Sequence, residues 1–364
     1  MLKLACRHVA ILAMLVATSG HAFAHHPGGI GNSNEAGPIN TISASTLQQG
    51  QTIAGVIIDY TSLSTLRDRT LAGAAAAGVD GVHGLRSVAG YSAVFARGIT
   101  DDLMLGVRLP YVRRTGIRAG ELDADNGDVS VLDHGASSGF GDATVLGQYR
   151  FFKDAGRQFE AAFLAGFIAP TGITSRRSKQ GGLLDAEFQP GTGAWSGLVG
   201  LAITRRMGAW SFDSNVLYVG ATEGTQHTNL GDQLLYNAAI SYRLSGLTGL
   251  LGGTTRPGPM FHGAVPHAPG DDGHSHSHKE PPADTAPKLD LVLEMNGEWH
   301  DRQQMLGITD LNSGGNTIYV APGLRLSQDK WSGFVSVGVP VVKGSNGQQP
   351  EPDLRIRTGI AVAF

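Results

Sequence analysis

The sequence has a single cysteine, Cys6, and no long apolar run after its first 24 residues. A helix that spans a bilayer needs about 20 consecutive apolar residues, so the later chain offers no such helix. Without a second cysteine the chain forms no internal disulfide. Phosphate-loop, dinucleotide and metalloprotease signatures are also absent, since Gly139-Phe140-Gly141 lacks the later glycine and the helix that such a motif requires.

The first 24 residues read as a secretory signal peptide. Lys3 and Arg7 precede an apolar run from Val9 to Val16, and Ala22-Phe23-Ala24 matches an A-x-A cleavage site. We therefore expect an exported chain that begins at His25 and has lost its only cysteine. Removing Lys3 and Arg7 from the 28 basic residues leaves 26 against 31 acidic ones, a net charge near −5. This charge argues against a nucleic-acid partner.

Glycine is abundant, with 52 of 364 residues, and the remaining sequence alternates apolar and polar residues. Between Lys288 and His300, leucine, methionine and tryptophan share one parity, while Asp290, Glu294 and Glu298 share the other. This period of two indicates a β-strand with one apolar and one polar face. Trp195, Trp210, Trp299 and Trp331 lie near the ends of such segments, as interfacial aromatic residues do.

Alternation over about 10 residues, with arginines and carboxylates on one face, is the pattern of a transmembrane β-barrel. A soluble β-sandwich has strands of about 5 to 6 residues. We predict an all-β, antiparallel, up-and-down barrel of about 12 strands within residues 51–364. The predicted segments are 52–60, 87–97, 103–113, 141–152, 158–169, 194–205, 210–220, 233–244, 289–300, 317–327, 331–342 and 354–364.

Short and long connections alternate along these segments, and short turns are periplasmic in such barrels. The exception is the long connection 245–288, which falls on the periplasmic side by parity. Residues 25–50 precede the first strand, and we expect this N-terminal segment to be either mobile or tucked into the lumen.

Several short motifs resemble the phenol-degradation meta-pathway (MetA-type) outer-membrane transporter family. They include Gly139-Phe140-Gly141-Asp142 with Gln148-Tyr149-Arg150-Phe151, Ala169-Pro170-Thr171-Gly172 and Gln189-Pro190-Gly191-Thr192-Gly193. Further matches are Leu293-Glu294-Met295-Asn296-Gly297-Glu298 and Ala321-Pro322-Gly323-Leu324-Arg325. The resemblance implies an outer-membrane barrel similar to channels for fatty acids and aromatic hydrocarbons.

Strand parity sends a set of charged side chains into the lumen, where opposed acids and bases can select among permeants. The alternative is that they pair with one another and fill a narrow lumen. The candidate selectivity residues are Arg108, Asp142, Arg150, Glu160, Asp290, Glu294, Glu298, Arg325, Arg355 and Arg357.

Two groups of histidines are candidate metal ligands, because imidazole suits Zn, Cu and Ni. The connection 245–288 contributes His267, His274, His276 and His278, and the predicted mature N-terminus contributes His25 and His26. The loop has neither the cysteines nor the helix of a structural zinc site. At His25, cleavage after Ala24 would place an α-amine beside an imidazole, a chelating pair that favours Cu(II) or Ni(II). The alternatives are a solvated polar linker and a frayed terminus.

The sequence thus predicts a non-enzymatic outer-membrane channel or transporter for a small solute, either aromatic or metal-linked. It requires no cofactor, although the histidine-rich loop could bind Zn, Cu or Ni; its expected partners are lipid, the solute and a periplasmic protein at 245–288. An alternative is a metal-sequestering or partner-docking protein that transports nothing. A hydrolase at the rim, built from Asp133, His134, Ser137 and Ser138, is a weaker alternative because a glycine-rich loop carries these residues.

Overall fold

The computed structural model describes residues 36–123, 125–244 and 287–364. These residues form mostly β-strands, with one α-helix, α1 (Asp68–Ala76), and two short 3-10 helices at Ala186–Phe188 and Thr225–His227. In chain order the strands are β1 (Thr52–Ser64), β2 (His83–Gly84), β3 (Ser87–Gly98), β4 (Leu103–Leu122), β5 (Val129–Phe140), β6 (Ala143–Asp154), β7 (Phe159–Ala169), β8 (Ser196–Met207), β9 (Trp210–Ala221), β10 (Thr228–Asn229), β11 (Gln233–Leu244), β12 (Lys288–His300), β13 (Gln304–Met305), β14 (Ile308–Thr309), β15 (Gly315–Gln328), β16 (Trp331–Ser345) and β17 (Glu351–Ala363).

Twelve of these strands close into an antiparallel barrel. Its members are β1, β3, β4, β6, β7, β8, β9, β11, β12, β15, β16 and β17. Closure comes from the pairing of β1 with β17, which joins the two ends of the barrel sequence, for example Ile57 opposite Gly359. The barrel continues from β4 directly to β6 through Leu103–Arg108 and Thr144–Tyr149. The predicted twelve-stranded barrel is therefore confirmed.

The barrel turns its apolar side chains outward and its polar side chains inward. The outer surface exposes large apolar residues along every part of the wall, among them Leu109, Phe163, Leu201, Val216, Leu293, Leu324, Val339 and Ile360. Trp195, Trp210 and Trp331 are also exposed, near strand ends. A closed barrel with an apolar belt satisfies its backbone hydrogen bonds internally, as a bilayer requires. No helix among the described residues is long and apolar enough to cross a membrane.

The two ends of the barrel differ. One end carries four short turns, such as Met207 to Trp210 and Gln328 to Trp331, together with the start of β1 and the C-terminus, where Thr52 N donates to Phe364 O at 2.9 Å. Because periplasmic turns are short, this is the periplasmic end. The last residue of β11, Leu244, and the first of β12, Lys288, also lie there, since they pair within the same ladder.

The outer connections contain more regular structure than alternation predicts. Strand β4 continues to Leu122 and pairs with β5 beyond the barrel wall, although 114–140 reads as a loop in the sequence. Helix α1 packs on this extension, and β10, β13 and β14 form a small separate sheet. The strands in these connections lack a clear alternation of apolar and polar residues, because the connections pack against one another rather than between lipid and lumen.

Candidate functional site

The structure places all ten candidate selectivity residues on the inner side of the wall. Arg150, Glu298 and Arg355 are half-buried, and the other seven are buried. The buried members are Arg108, Asp142, Glu160, Asp290, Glu294, Arg325 and Arg357. Their inward position follows from the period of two in each strand. A role of these residues in selectivity stays a prediction.

Several of these charges are joined in ion pairs between different strands of the barrel. The Arg150 guanidinium lies 2.8 Å from Glu160, which also contacts Arg206 at 3.2 Å. Near the periplasmic end, Arg243 lies 2.7 Å from Asp290. Arg355 forms a two-bond pair with Glu298. Much of the lumen charge is therefore balanced within the wall, the alternative that the sequence leaves open.

The described residues that precede β1, residues 36–51, pass through the periplasmic half of the lumen, and from here on the N-terminal segment means these residues. Three successive residues of the segment bind the buried carboxylate of Glu294 on β12. That carboxylate accepts hydrogen bonds from the backbone N–H groups of Ile39, Asn40 and Thr41, at 3.1, 2.9 and 2.9 Å. One buried carboxylate thus satisfies three successive donors of a segment that has no strand partner.

Side chains of three other strands hold the rest of this segment. Ile42 N donates to Asn215 Oδ1 on β9 at 2.9 Å, and Ala44 N donates to Thr204 Oγ1 on β8 at 2.8 Å. Gln148 Nε2 on β6 donates to the Ser43 and Ser45 carbonyls at 3.0 and 2.8 Å. The backbone of the segment is fixed by side chains because it forms no ladder.

Apolar side chains of the N-terminal segment fill small apolar patches of the inner wall. Ile39 packs with Ile57, Val94, Val292 and Phe334. Ile42 and Ala44 join a second cluster with Leu146, Leu164 and Leu217, and Leu47 joins a third with Ile53 and Ala361. Burial of these groups adds to the hydrogen bonds that keep the segment inside the periplasmic half.

A cavity of about 210 Å³ occupies the outer half of the lumen, above the N-terminal segment. Its floor includes Asp59 and Arg108, and outer loops reach it through Phe188, Leu230 and Asn312. Much of its wall is apolar, since Leu63, Leu85, Val88 and Phe188 form one cluster with Val112 packed against it. A small concave site with an apolar wall and few polar groups is typical of a ligand-binding cavity.

Three outer loops meet beside this cavity at Glu187. His83 Nδ1 lies 3.2 Å from Glu187, and His83 Nε2 lies 3.4 Å from Asp185. Gln303 Nε2 donates to Glu187 Oε2 at 2.9 Å and to Asp310 Oδ2 at 2.8 Å. We call His83, Asp185, Glu187, Gln303 and Asp310 the mouth cluster.

Opposing effects set the ionisation of the mouth cluster. Burial alone would lower the pKa of His83, but its interaction with Glu187 and the charges of Asp185 and Asp310 outweigh burial and raise it. For Glu187, burial would raise the pKa, but His83 and the hydrogen bond from Gln303 lower it. Each partner therefore stabilises the charged form of the other.

Asp142 connects three of the family motifs. Its Oδ1 accepts from Gly172 N at 2.8 Å, and its Oδ2 accepts from Thr192 N and Thr192 Oγ1, both at 2.7 Å. A Cβ on Gly172 or Gly191 would lie 2.5 Å from the Cα of the other, so the two chains approach only as glycines. This carboxylate is committed to holding the connection between β7 and β8 against the wall.

Replacing Asp142 with alanine should detach that connection and lower the free energy of unfolding by about 3 kcal/mol, because at least two bonds to a charged acceptor are lost at roughly 1.5 kcal/mol each. Urea unfolding of the refolded protein, followed by tryptophan fluorescence, measures the change. Replacing Asp125, which is exposed, serves as the control. Equal stability of the Asp142 and Asp125 variants would contradict this role.

The residues of the rim-hydrolase alternative do not form a nucleophile–base pair. Asp133 accepts hydrogen bonds from Lys179 Nζ and, at 2.8 Å, from Gly135 N, and these interactions lower its pKa. Within the described part of the chain, His134 Nδ1 and Ser137 Oγ have no hydrogen-bond partner. A triad needs the nucleophile, base and orienting acid in mutual contact.

All six candidate metal ligands, His25, His26, His267, His274, His276 and His278, lie outside the described residues. Metal binding by them stays a prediction. Within residues 36–123, 125–244 and 287–364, no group of three or more histidine, cysteine, aspartate or glutamate side chains is arranged to hold a metal ion.

The sequence also missed groups that line the site. Asp59, His83 and Glu187 all line the cavity. None of them lies in a segment in which charged and apolar residues alternate. A signal for Asp59 exists in Thr52–Ser64, where it is the only charged residue of an otherwise apolar and hydroxylated strand. His83 and Glu187 become partners only through loops that are about 100 residues apart in the chain.

A protein family matches residues 68–260, more than half of the chain, with the description "Putative MetA-pathway of phenol degradation". The chain belongs to this family. The motifs around Asp142 lie within the matched range, so the family sequence coincides with the part of the wall that anchors the outer loops. No curated protein matches the sequence significantly.

Among solved structures, an outer membrane channel from Pseudomonas putida F1 aligns with a TM-score of 0.51 and 13% identity, covering 88% of this chain and 98% of its own. The β domain of the Bordetella autotransporter BrkA aligns with a TM-score of 0.42 and 8% identity, over 87% and 100% of the two chains. The likeness to the P. putida channel agrees with the barrel fold of this MetA-pathway family member. The barrel fold and the apolar belt of this chain place it in the outer membrane.

Proposed function

We propose that the protein is an outer membrane channel for small organic solutes that carry an apolar ring. The observation that supports this function best is the outer cavity, which has an apolar wall and lies between the outer loops and the lumen floor. Its volume of about 210 Å³ is below the roughly 300–1,000 Å³ of sites for drug-sized ligands. A single-ring solute matches this size.

The solute enters between the outer loops and rests in the cavity. Its way to the periplasm is closed by the N-terminal segment, which Glu294, Asn215 and Thr204 hold across the lower lumen. Passage therefore includes a displacement of this segment. The P. putida protein that shares the barrel fold is an outer membrane channel, which agrees with this proposal.

Solute flux into liposomes tests the proposal. The refolded protein should admit phthalate faster than glucose. Phthalate is an aromatic dicarboxylate, and at pH 8 its charge keeps it from crossing a bare bilayer. Empty vesicles give the background for both solutes. Phthalate entry that is equal with and without protein would overturn the channel function.

Two variants on β3 connect the flux to the cavity. Gly90 lines the cavity, and a Cβ there meets nothing closer than Asp59 at 3.9 Å, so Gly90→Leu should fold and fill the cavity. Ala93 is exposed on the outer face of the same strand. We expect Gly90→Leu to lower phthalate entry several-fold, whereas Ala93→Leu should leave it unchanged. Equal phthalate entry in both variants would contradict a passage of phthalate through the cavity.

A further inference from the structure

The floor of the outer cavity carries an unusual arrangement of two arginines around one carboxylate. Arg108 on β4 and Arg357 on β17 both contact Asp59 on β1, at 3.4 and 2.9 Å. All three residues are buried, with no more than 5% of their surface exposed. A single carboxylate thus compensates two buried positive charges, which is costly unless another anion is present.

The remaining donors of the two arginines are not all satisfied. Arg108 Nε donates to Ser92 Oγ at 2.8 Å, and Arg357 Nη1 donates to Asn40 Oδ1 at 2.8 Å. Arg108 Nη1 and Arg357 Nη2 are buried and have no hydrogen-bond partner among the described residues. A buried charged donor without an acceptor is uncommon in native proteins and indicates a missing water, ion or ligand.

The neighbouring charges do not supply the missing anion. Glu298 forms its two-bond pair with Arg355, whose guanidinium also lies 4.0 Å from the ring centre of Tyr319. Around Asp59, the arginines Arg108, Arg355 and Arg357 therefore outnumber the two carboxylates. This part of the lumen has an excess of one positive charge.

Arg108 is buried in the wall of the cavity, and the apolar cluster with Leu63, Leu85, Val88 and Phe188 lines the same cavity. A ligand that uses both features has a carboxylate at one end and an apolar ring at the other. Chloride or phosphate would satisfy the arginine but leave the apolar wall unused. A neutral ring would use the wall but leave Arg108 Nη1 without an acceptor.

We propose that the outer cavity binds small aromatic carboxylates, with the carboxylate accepting a hydrogen bond from Arg108 Nη1 and the ring packed against the apolar wall. Arg357, beside Arg108 on Asp59, adds a second positive charge to the carboxylate site. This inference rests on the proposed channel function, for which it names the substrate class.

Calorimetric titration of the refolded protein in detergent micelles at pH 8 tests this site with benzoate, benzamide and acetate. Benzamide keeps the ring and loses the charge, whereas acetate keeps the carboxylate and loses the ring. We expect benzoate to bind at least about tenfold more tightly than either, since a charge-assisted bond and ring burial each contribute this much. Equal affinity for benzoate and benzamide overturns the proposal without any variant.

Substitutions on one strand assign the preference to Arg108. Arg108→Gln should reduce the preference for benzoate over benzamide to about one, and benzamide binding then reports that the cavity is intact. Arg108→Lys, which keeps the charge, should retain part of it. Arg113 also lies on β4 but is exposed on the outer face, so Arg113→Gln should keep the full preference. An unchanged preference in Arg108→Gln would overturn the site.

The outcomes for this site and for the channel are separable. Benzoate binding without phthalate flux would leave the carboxylate site and overturn the channel. Flux without a preference for benzoate would leave the channel and overturn the carboxylate site.

Discussion

Replacement of Glu294 by alanine is expected to release the N-terminal segment from the lumen and to raise the ionic conductance of the barrel. The wild-type carboxylate accepts three backbone hydrogen bonds from Ile39, Asn40 and Thr41. Alanine leaves these donors buried without acceptors. The docked state is then destabilised, whereas the undocked state, in which water satisfies the donors, is not.

The expected size of this effect follows from the number of bonds. A single hydrogen bond to a charged acceptor contributes about 1.5 kcal/mol or more, and a change of about 1.4 kcal/mol alters a population ratio tenfold. Loss of all three bonds should therefore change the ratio of docked to undocked segment by well over tenfold. The contacts with Asn215 and Thr204 remain, so a docked fraction persists.

Single-channel recordings in planar bilayers measure this opening, and limited proteolysis reports the exposure of residues 36–47. A refolded chain that lacks residues 25–44 should show the same high conductance as Glu294→Ala. The control is Asp232→Asn, which alters a carboxylate that accepts Ala221 N at 2.8 Å outside the lower lumen. If Glu294→Ala and the truncated chain both conduct like wild type, the segment does not close the barrel.

Strand periodicity is the part of this fold that a single sequence predicts well. Every barrel strand has one face toward lipid and one toward a polar lumen, so parity alone gives the inner position of residues as far apart as Arg108 and Arg357. The twelve predicted segments correspond to the twelve barrel strands, with ends that shift by a few residues. The largest difference is β4, which continues to Leu122 because β5 replaces β6 as its partner.

The position of the N-terminal segment could not be chosen from its sequence. Residues 36–51 have no period of two, and the backbone N–H groups of residues 39–42 donate to side chains more than 100 residues away, on Glu294 and Asn215. Parity indicates that Glu294 points inward but not what it binds. The same limit applies to Asp142, whose charge predicts a lumen role although backbone donors of two family motifs use its oxygens.

Partnerships between outer loops escape sequence reasoning for a related reason. His83, Glu187 and Gln303 lie in three different connections, and none belongs to a periodic segment that would fix its direction. His83 is positioned by its pairing with Ala119 on the extension of β4, which the sequence does not reveal. The candidate site was therefore predictable in its barrel wall and not in its mouth.

The interaction between His83 and Glu187 should hold the outer loops together most strongly between about pH 4.5 and pH 6.5 and release them on either side. The pKa of His83 is raised above its ordinary 6.5, so its contribution is complete below that value and is lost as pH rises through the raised pKa. The pKa of Glu187 is lowered from 4.5, so its contribution is complete above 4.5 and is lost as pH falls through the lowered pKa.

Hydrogen exchange of the backbone around residues 83–85 and 184–189 measures this release as a function of pH, after correction for the intrinsic exchange rate. Protection should fall several-fold from pH 6 to pH 9 in wild type, and His83→Gln should remove this dependence because glutamine keeps no charge. The control is His227→Gln, since His227 contacts Glu223 at 2.9 Å in an outer loop but both side chains are exposed. A pH dependence that survives in His83→Gln, or disappears in His227→Gln, would assign the release to groups other than His83. The expected result makes the outer mouth tighter in mildly acidic surroundings, where a carboxylated solute would meet a narrower entrance.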